Sequence, residues 1–270
     1  MTALSNWRDL LAAWAIPDAV HPPESPWVLP REVFLRRADR QIAEPIGATH
    51  RLAAESLQEP GTVLDVGAAA GAASLSLAGR SNVTAVTAVD TDDMLLAAFA
   101  ERAAGVEHRL LSGRWPELAA EAGVADVVVC GNVVYNVPDL APFATALTAA
   151  ARRRVVVETA ARHPLTELNP LWQRFHGIGR PAGPTVEDCL AALAEVGIEP
   201  EVVVWQRPPE PEYAEFSTMV DVTRRRLCLP RDAAGEVKRA LLELGVDPEM
   251  PPDLGSSGRD LVTLAWPGSA

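Results

Sequence analysis

From Thr62 onward the chain alternates short, unbroken apolar runs with amphipathic stretches. Valine-rich runs fall near 62–66, 84–89, 106–111, 126–131, 154–159, 201–206 and 261–266. Each is too short for a helix and lacks the alternation of a half-exposed strand, so each predicts a strand buried on both faces. Helical spacing appears near 72–79, 92–103, 139–150 and 185–196. Asp92 and Asp93 open the second of these, and Thr185 with Asp188 opens the last in a capping-box arrangement. Strand and helix in regular alternation predict an α/β fold, a doubly wound, seven-stranded, mostly parallel sheet.

Three stretches stand outside the alternation. Residues 1–57 predict an N-terminal helical cap. Its helices fall near Ser5–Ala15, with Trp7, Leu10, Leu11 and Trp14 on one face, then over the arginine-rich Arg31–Ile46 and over Thr49–Leu57. The five prolines of Pro17–Pro30 impose an extended or turn-rich connection between them. Residues 58–270 form the second unit, interrupted after the fifth strand by Thr159–Pro184 and before the last strand by a helical insertion at 208–260, with helices near 212–227 and 231–245. Long segments at the carboxyl ends of strands are where α/β proteins build substrate pockets.

Composition narrows the function. The net charge is −12, which disfavours a nucleic-acid partner, since neutralising a polyanion needs the opposite sign. The runs Arg152–Arg154 and Arg224–Arg226 are read as cations at predicted helix ends, where they suit the dipole. No apolar run is long enough to span a membrane, and the first residues carry no signal-peptide pattern. Cys130, Cys189 and Cys228 have no metal-site or disulfide spacing, so no metal is expected and a cytoplasmic location is. The tryptophan-bearing first helix is free to pack on its own core or on a second copy as a homodimer.

The informative chemistry lies at Val63–Gly71, Val-Leu-Asp-Val-Gly-Ala-Ala-Ala-Gly. A strand, a turn of glycine and alanine, and a helix start bring backbone close to a ligand and offer unpaired N–H groups. The second strand ends on Asp90, where a carboxylate can accept both hydroxyls of a ribose. Together these predict a nucleoside site at the carboxyl edge of the sheet.

The same stretch resembles the first motif of class I S-adenosylmethionine-dependent methyltransferases of the small-molecule type, with Asp65 as its acid, Gly67 and Gly71 as its first and third glycines, and Ala69 in place of the middle one. Asp90 falls on the next strand end, Leu111–Glu117 where the family places adenine contacts, and Ala125–Asp139 on its fourth strand and loop. The similarity runs over about Leu52–Arg207, plus the final strand. It implies a Rossmann-like methyltransferase fold with S-adenosylmethionine as cofactor. Asp65, Gly67, Ala69 and Gly71 would lie against the methionine part and ribose, and Asp90 would take the ribose hydroxyls. Thr91 and Met94 would edge the adenine, Arg114 and Trp115 would flank it, and Asn132 and Val133 would sit near the sulfonium. An alanine costs ~1–2 kcal/mol if position 69 needs a left-handed backbone.

Methyl transfer from a sulfonium is a direct in-line displacement that needs positioning above all. A base is required only for an acceptor that holds its proton tightly. Tyr135, His163 and His176 are the candidates on the acceptor side. Their plainer readings are helix-edge packing for the tyrosine and surface or capping roles for the histidines. Glu158, at the end of the fifth strand, is placed to hydrogen-bond across the sheet top. The acceptor is expected to be a small molecule. Three other readings compete: a non-catalytic binding module with the same fold; a nicotinamide-dependent oxidoreductase, although Gly67, Ala69 and Ala72 supply one glycine of that motif's three; and a nucleic-acid methyltransferase, held down by the acidic balance.

Overall fold

A computed structural model describes residues 2–80 and 82–270. All seven strands form: β1 (Gly61–Val66), β2 (Val83–Asp90), β3 (Glu107–Ser112), β4 (Ala125–Gly131), β5 (Ala151–Ala160), β6 (Glu201–Gln206) and β7 (Asp260–Pro267). They make one sheet in the order β3-β2-β1-β4-β5-β7-β6. The pairs β1–β2, β1–β4, β2–β3 and β4–β5 are parallel, and β7 runs antiparallel between β5 and β6. This antiparallel strand separates the sheet from the all-parallel order of dinucleotide-binding folds. The chain winds outward from β1 through β2 and β3, then returns to β4. The crevice at that switch lies beyond the carboxyl ends of β1 and β4, beside Gly67 and Asn132.

Both faces of the sheet are covered, which is why its central strands read as unbroken apolar runs. Leu64, Val66, Val128, Val155 and Val157 pack in one layer with α7 (Leu140–Ala149) and α9 (Val186–Glu195). Val63, Val127, Val129 and Val156 pack in the other with α3 (Gly47–Glu55), α4 (Leu75–Ala78) and α5 (Asp93–Arg102). Asp92 caps α5 by accepting the Met94 and Leu95 N–H groups, and Thr185 with Asp188 forms the expected capping box of α9. A short α6 (Ala119–Ala122) follows β3.

A third apolar cluster lies outside the sheet. Val33 of α2 (Arg31–Ala43), Leu171 and Trp172 of α8 (Asn169–His176), Met219 of α10 (Phe216–Arg226) and Leu241 of α11 (Ala234–Glu243) share it. Part of the N-terminal segment and both long insertions therefore bury one another's apolar faces. The first helix, α1 (Ala3–Ala12), belongs elsewhere. Its Trp7 is fully buried in the α7–α9 layer and donates Nε1–H to the Val137 carbonyl at 2.8 Å. That helix packs on its own core.

Three local expectations change. Helix α1 starts at Ala3 under a Thr2 cap, so Ser5 lies inside its first turn. Arg152–Arg154 lie within β5 and not at a helix end; Arg152 and Arg153 face Asp126, and Arg154 pairs with Glu201. The helix expected over 72–79 is regular only from Leu75, because the turn after β1 uses the preceding residues.

Candidate active site

The turn after β1 is pinned to the end of β2. The Gly67 and Ala68 N–H groups both donate to the Val89 carbonyl, at 2.9 and 3.1 Å, and the Ala69 N–H donates to Asp90 Oδ2 at 2.8 Å. Gly67 has φ +74°, and a Cβ there would strike the Val133 side chain. Its bareness lets the β1 and β4 loops meet. Ala69 has φ 44°, the left-handed conformation that costs an alanine ~1–2 kcal/mol. Gly71 also has positive φ, but a Cβ there would meet Leu75 and Phe99. It serves helix packing and lies off the cavity wall.

Asp65 sits beneath this turn with 1% of its surface exposed. The Ser74 hydroxyl and N–H both donate to its Oδ2, at 2.6 and 3.2 Å, while Oδ1 is buried without a hydrogen-bond partner among the described residues. Burial pushes the carboxyl up to about 7; the Ser74 hydrogen bonds oppose this and the charge of Asp90 adds to it. Asp90 is held from both sides, its Oδ1 accepting the Asp92 N–H at 2.9 Å and its Oδ2 that of Ala69. Each oxygen keeps lone-pair capacity toward the crevice.

Beyond β4 the backbone turns left-handed at Asn132, φ 58°. Its N–H donates to the Glu158 carbonyl at 2.8 Å and its Nδ2 to Glu158 Oε1 at 3.0 Å. Glu158 also accepts from Thr49 Oγ1 at 2.9 Å and from Arg207 Nη2 at 3.1 Å. This carboxylate therefore ties β4, β5, α3 and the end of β6 together across the sheet top.

One cavity of about 1440 Å³ joins these groups. It is roomier than a typical site for a single small ligand. Asp65, Gly67, Ala69, Asp90, Thr91, Arg114, Trp115, Asn132 and Val133, the residues named from the sequence, all line it. Trp115 is partly buried and donates Nε1–H to the Phe143 carbonyl at 3.3 Å. Met94 is not on the wall: at the start of α5 the residue is 62% exposed, and Leu95 lines the cavity instead.

Of the three acceptor-side candidates, two reach the cavity. Tyr135 is buried and its hydroxyl donates to the Ala160 carbonyl at 2.9 Å; burial holds its phenol far above the ordinary value. His163 stacks on Trp14 at 4.4 Å and meets the Tyr135 ring edge-on. Its Nδ1 accepts the Leu165 N–H at 3.3 Å, which leaves the ring proton on Nε2. Burial first, and Arg180 second, lower it to about 4. It is a neutral donor at ordinary pH. His176 lies away from the cavity, bonded to the Leu227 carbonyl at 2.7 Å and packed on Trp172, because α8 turns that face toward α10.

Several wall residues had no signature in the sequence. Trp14, Trp27, Phe34 and Leu165 supply apolar surface, while His50, Arg37, Arg207 and Arg226 supply polar groups. Arg37 is nearly enclosed and pairs with Glu212 and Asp253. The only hint was an arginine-rich helix in a segment otherwise reading as a cap.

Residues 63–154 match a family model described as a methyltransferase domain. Among solved structures, the fold is similar to the magnesium protoporphyrin IX methyltransferase of Synechocystis with bound S-adenosylhomocysteine, at 15% identity and a TM-score of 0.50 over 88% of this chain and 84% of that one. It is also similar to an S-adenosylmethionine-dependent methyltransferase of Thiobacillus denitrificans in complex with S-adenosylhomocysteine, at 17% identity and 0.51 over 88% and 98%. Among curated proteins none matches in sequence. Residues 63–154 thus form a methyltransferase domain, and the glycine turn and strand order agree with the class I, S-adenosylmethionine-dependent type.

Proposed function

We propose that the enzyme methylates a small-molecule acceptor bound in the same cavity as S-adenosylmethionine. The observation that carries this reading is the continuity of that cavity, from Asp65 and Asp90 past Asn132 to the aromatic walls contributed by the cap. The residues present fit the cofactor. Buried Asp65 Oδ1, without a protein partner, complements an ammonium group such as that of the methionine part. Asp90, held by two backbone N–H groups, presents its remaining lone pairs to a ribose. Trp115 and Arg114 would flank the adenine.

When bound, the cofactor supplies an electrophilic methyl group on a sulfonium. The chain's own part is to hold the acceptor in line and to exclude water. Tyr135 and His163 would position it. The tyrosine's proton is held by the Ala160 carbonyl, and the histidine's free nitrogen already carries its proton. Neither is arranged to take a proton, so the reading favours an acceptor that is nucleophilic without a strong base. The net charge of −12 speaks against a polyanionic acceptor.

Calorimetric titration with S-adenosylhomocysteine tests the first half of the reading; absence of heat at millimolar ligand sinks it. Incubating the protein with a small-molecule extract and methyl-deuterated S-adenosylmethionine tests the second half, with a labelled low-mass product as the expected outcome. Label found only in protein or nucleic acid would refute it.

A further inference from the structure

The far wall of the cavity, beyond Glu158, carries four arginines, of which Arg40 pairs with Glu210 and Glu212. Arg207 pairs with Glu158, and its Nη1 donates to Ser257 Oγ at 2.9 Å. Arg37 pairs with Glu212 and Asp253, and its Nη2 reaches Ser256 Oγ at 3.1 Å. Arg226 differs. It has no carboxylate within ion-pair distance among the described residues, and its Nη1 donates to the Leu254 and Gly255 carbonyls. Its Nε and Nη2 bond to no described residue, and the side chain lines the cavity. Gly255 makes this placement feasible, because a Cβ there would meet Arg226 Nη1 at 2.7 Å.

The contrast with Arg37 is instructive. Burial works against both charges. Asp253 and Glu212 more than offset it for Arg37, whose guanidinium is held above its ordinary value. Arg226 is pulled below, burial being the largest cause. Arg226 is part-buried, and Asp253 and Tyr213 offset only part of that burial from beyond ion-pair distance, so a counter-ion that arrives with a ligand completes the compensation. The Nε–Nη2 edge of a guanidinium is a planar two-donor fork that matches a carboxylate.

We propose that the methyl acceptor is an anionic, largely apolar small molecule whose carboxylate pairs with the Nε–Nη2 edge of Arg226. The proposal rests on the functional reading above and narrows its substrate class. Trp14, Trp27, Phe34 and Leu165 line the same cavity and would enclose the apolar body. The chain of contacts Arg226–Gly255, Ser257–Arg207, Arg207–Glu158 and Glu158–Asn132 leads from the fork to the β4 loop. The acceptor would thus be anchored at one end while its nucleophile faces the methyl donor.

The test uses the full chain saturated with S-adenosylhomocysteine and matched pairs of probes: benzoate, phenylacetate and indole-3-acetate, each against its primary amide. Calorimetry is expected to give at least one acid bound about tenfold or more tighter than its amide. In Arg226→Gln that preference should vanish, with amide affinity and S-adenosylhomocysteine affinity unchanged. Arg226→Lys should keep part of it, because charge remains while the fork is lost. Equal binding of every acid and amide, binding of neither at millimolar concentration, or a preference that survives Arg226→Gln would overturn the proposal. The acid–amide comparison on the unaltered protein stands even if the variant does not fold. Failure to bind S-adenosylhomocysteine in the same samples would instead strike the methyltransferase reading.

Discussion

The Ala69 N–H donates to Asp90 Oδ2 at 2.8 Å from a residue held at φ 44°. The unfavourable backbone and the hydrogen bond belong together: only the left-handed turn aims this N–H at the end of β2. A carboxylate assigned to the ribose is thereby also the anchor of the loop beneath it.

Replacing Ala69 with glycine removes the ~1–2 kcal/mol of left-handed strain, but adds about 0.5–1 kcal/mol of unfolded-state freedom. The balance favours the variant by roughly 0.5–1 kcal/mol. Thermal unfolding should shift upward by about 2 °C, with S-adenosylhomocysteine affinity equal or better. Weaker binding would mean that the alanine methyl group itself touches the ligand.

Asp90→Ala should act twice. Losing the two ribose hydrogen bonds should weaken S-adenosylhomocysteine by about a hundredfold. Leaving the Ala69 and Asp92 N–H groups without their acceptor should lower ligand-free stability by about 1–3 kcal/mol. The substitution thus reaches the fold as well as the ligand, through the two backbone hydrogen bonds to the carboxylate. Unchanged affinity in calorimetry would remove Asp90 from the site.

The inner strands β1, β4, β5 and β7 were readable because they are buried and appear as unbroken apolar runs; β3 and β6, read in the same way, are edge strands and largely exposed, so burial on both faces does not hold for them. The edge proposed for the cofactor was legible as a cavity wall because its geometry is local: Asp65, Gly67 and Asp90 are fixed by strand ends and a turn. Gly71 and Met94 follow the motif's spacing, yet one packs on Leu75 and Phe99 and the other points to solvent. Spacing does not reveal which side of a turn faces the ligand. Of the far wall only Tyr135, Glu158 and His163, at strand ends and in the loop after β5, were legible. Thr49, Glu158 and Arg207 meet from positions far apart in sequence, and Arg226 sits at a helix end that suits a solvated cation equally well.

Asp65 and His163 should pull stability in opposite directions over the same pH range. Asp65 releases its proton near 3.8 when unfolded and near 7 when folded. Between these values the folded state binds more protons, so this group's contribution falls as pH rises. His163 is shifted from 6.5 to about 4. There the unfolded state binds more protons, so its contribution is present above 6.5 and lost as pH falls toward 4. Denaturant unfolding should therefore show Asp65→Asn gaining on the parent as pH rises from about 4 to about 7, and His163→Gln losing ground over the same range. Parallel pH curves for parent and variants would contradict the burial of both groups.

The same carboxyl predicts how affinity depends on pH. An ammonium group needs Asp65 ionised, and below about 7 the ionised fraction falls tenfold per pH unit. Affinity for S-adenosylhomocysteine should rise from about pH 6 to about pH 8 and then level off, and Asp65→Asn should flatten that rise. A flat profile in the parent would show that the amino group does not meet Asp65.

Glu158 offers the sharpest test of the polar network across the sheet top. Glutamine in its place can still accept from Asn132 and bond to Thr49, but it leaves Arg207, whose side chain is 12% exposed, without its counter-charge. Breaking such a pair from one side costs about 3 kcal/mol. Replacing Arg207 with methionine as well should recover most of the loss, giving a coupling energy of about 2 kcal/mol in a double-mutant cycle. S-adenosylhomocysteine affinity should hold in Glu158→Gln, where Asn132 keeps an acceptor, and fall in Glu158→Leu, where it does not. Equal affinities in these two variants would mean that Asn132 is oriented by its backbone alone, through the left-handed turn and the 2.8 Å bond to the Glu158 carbonyl.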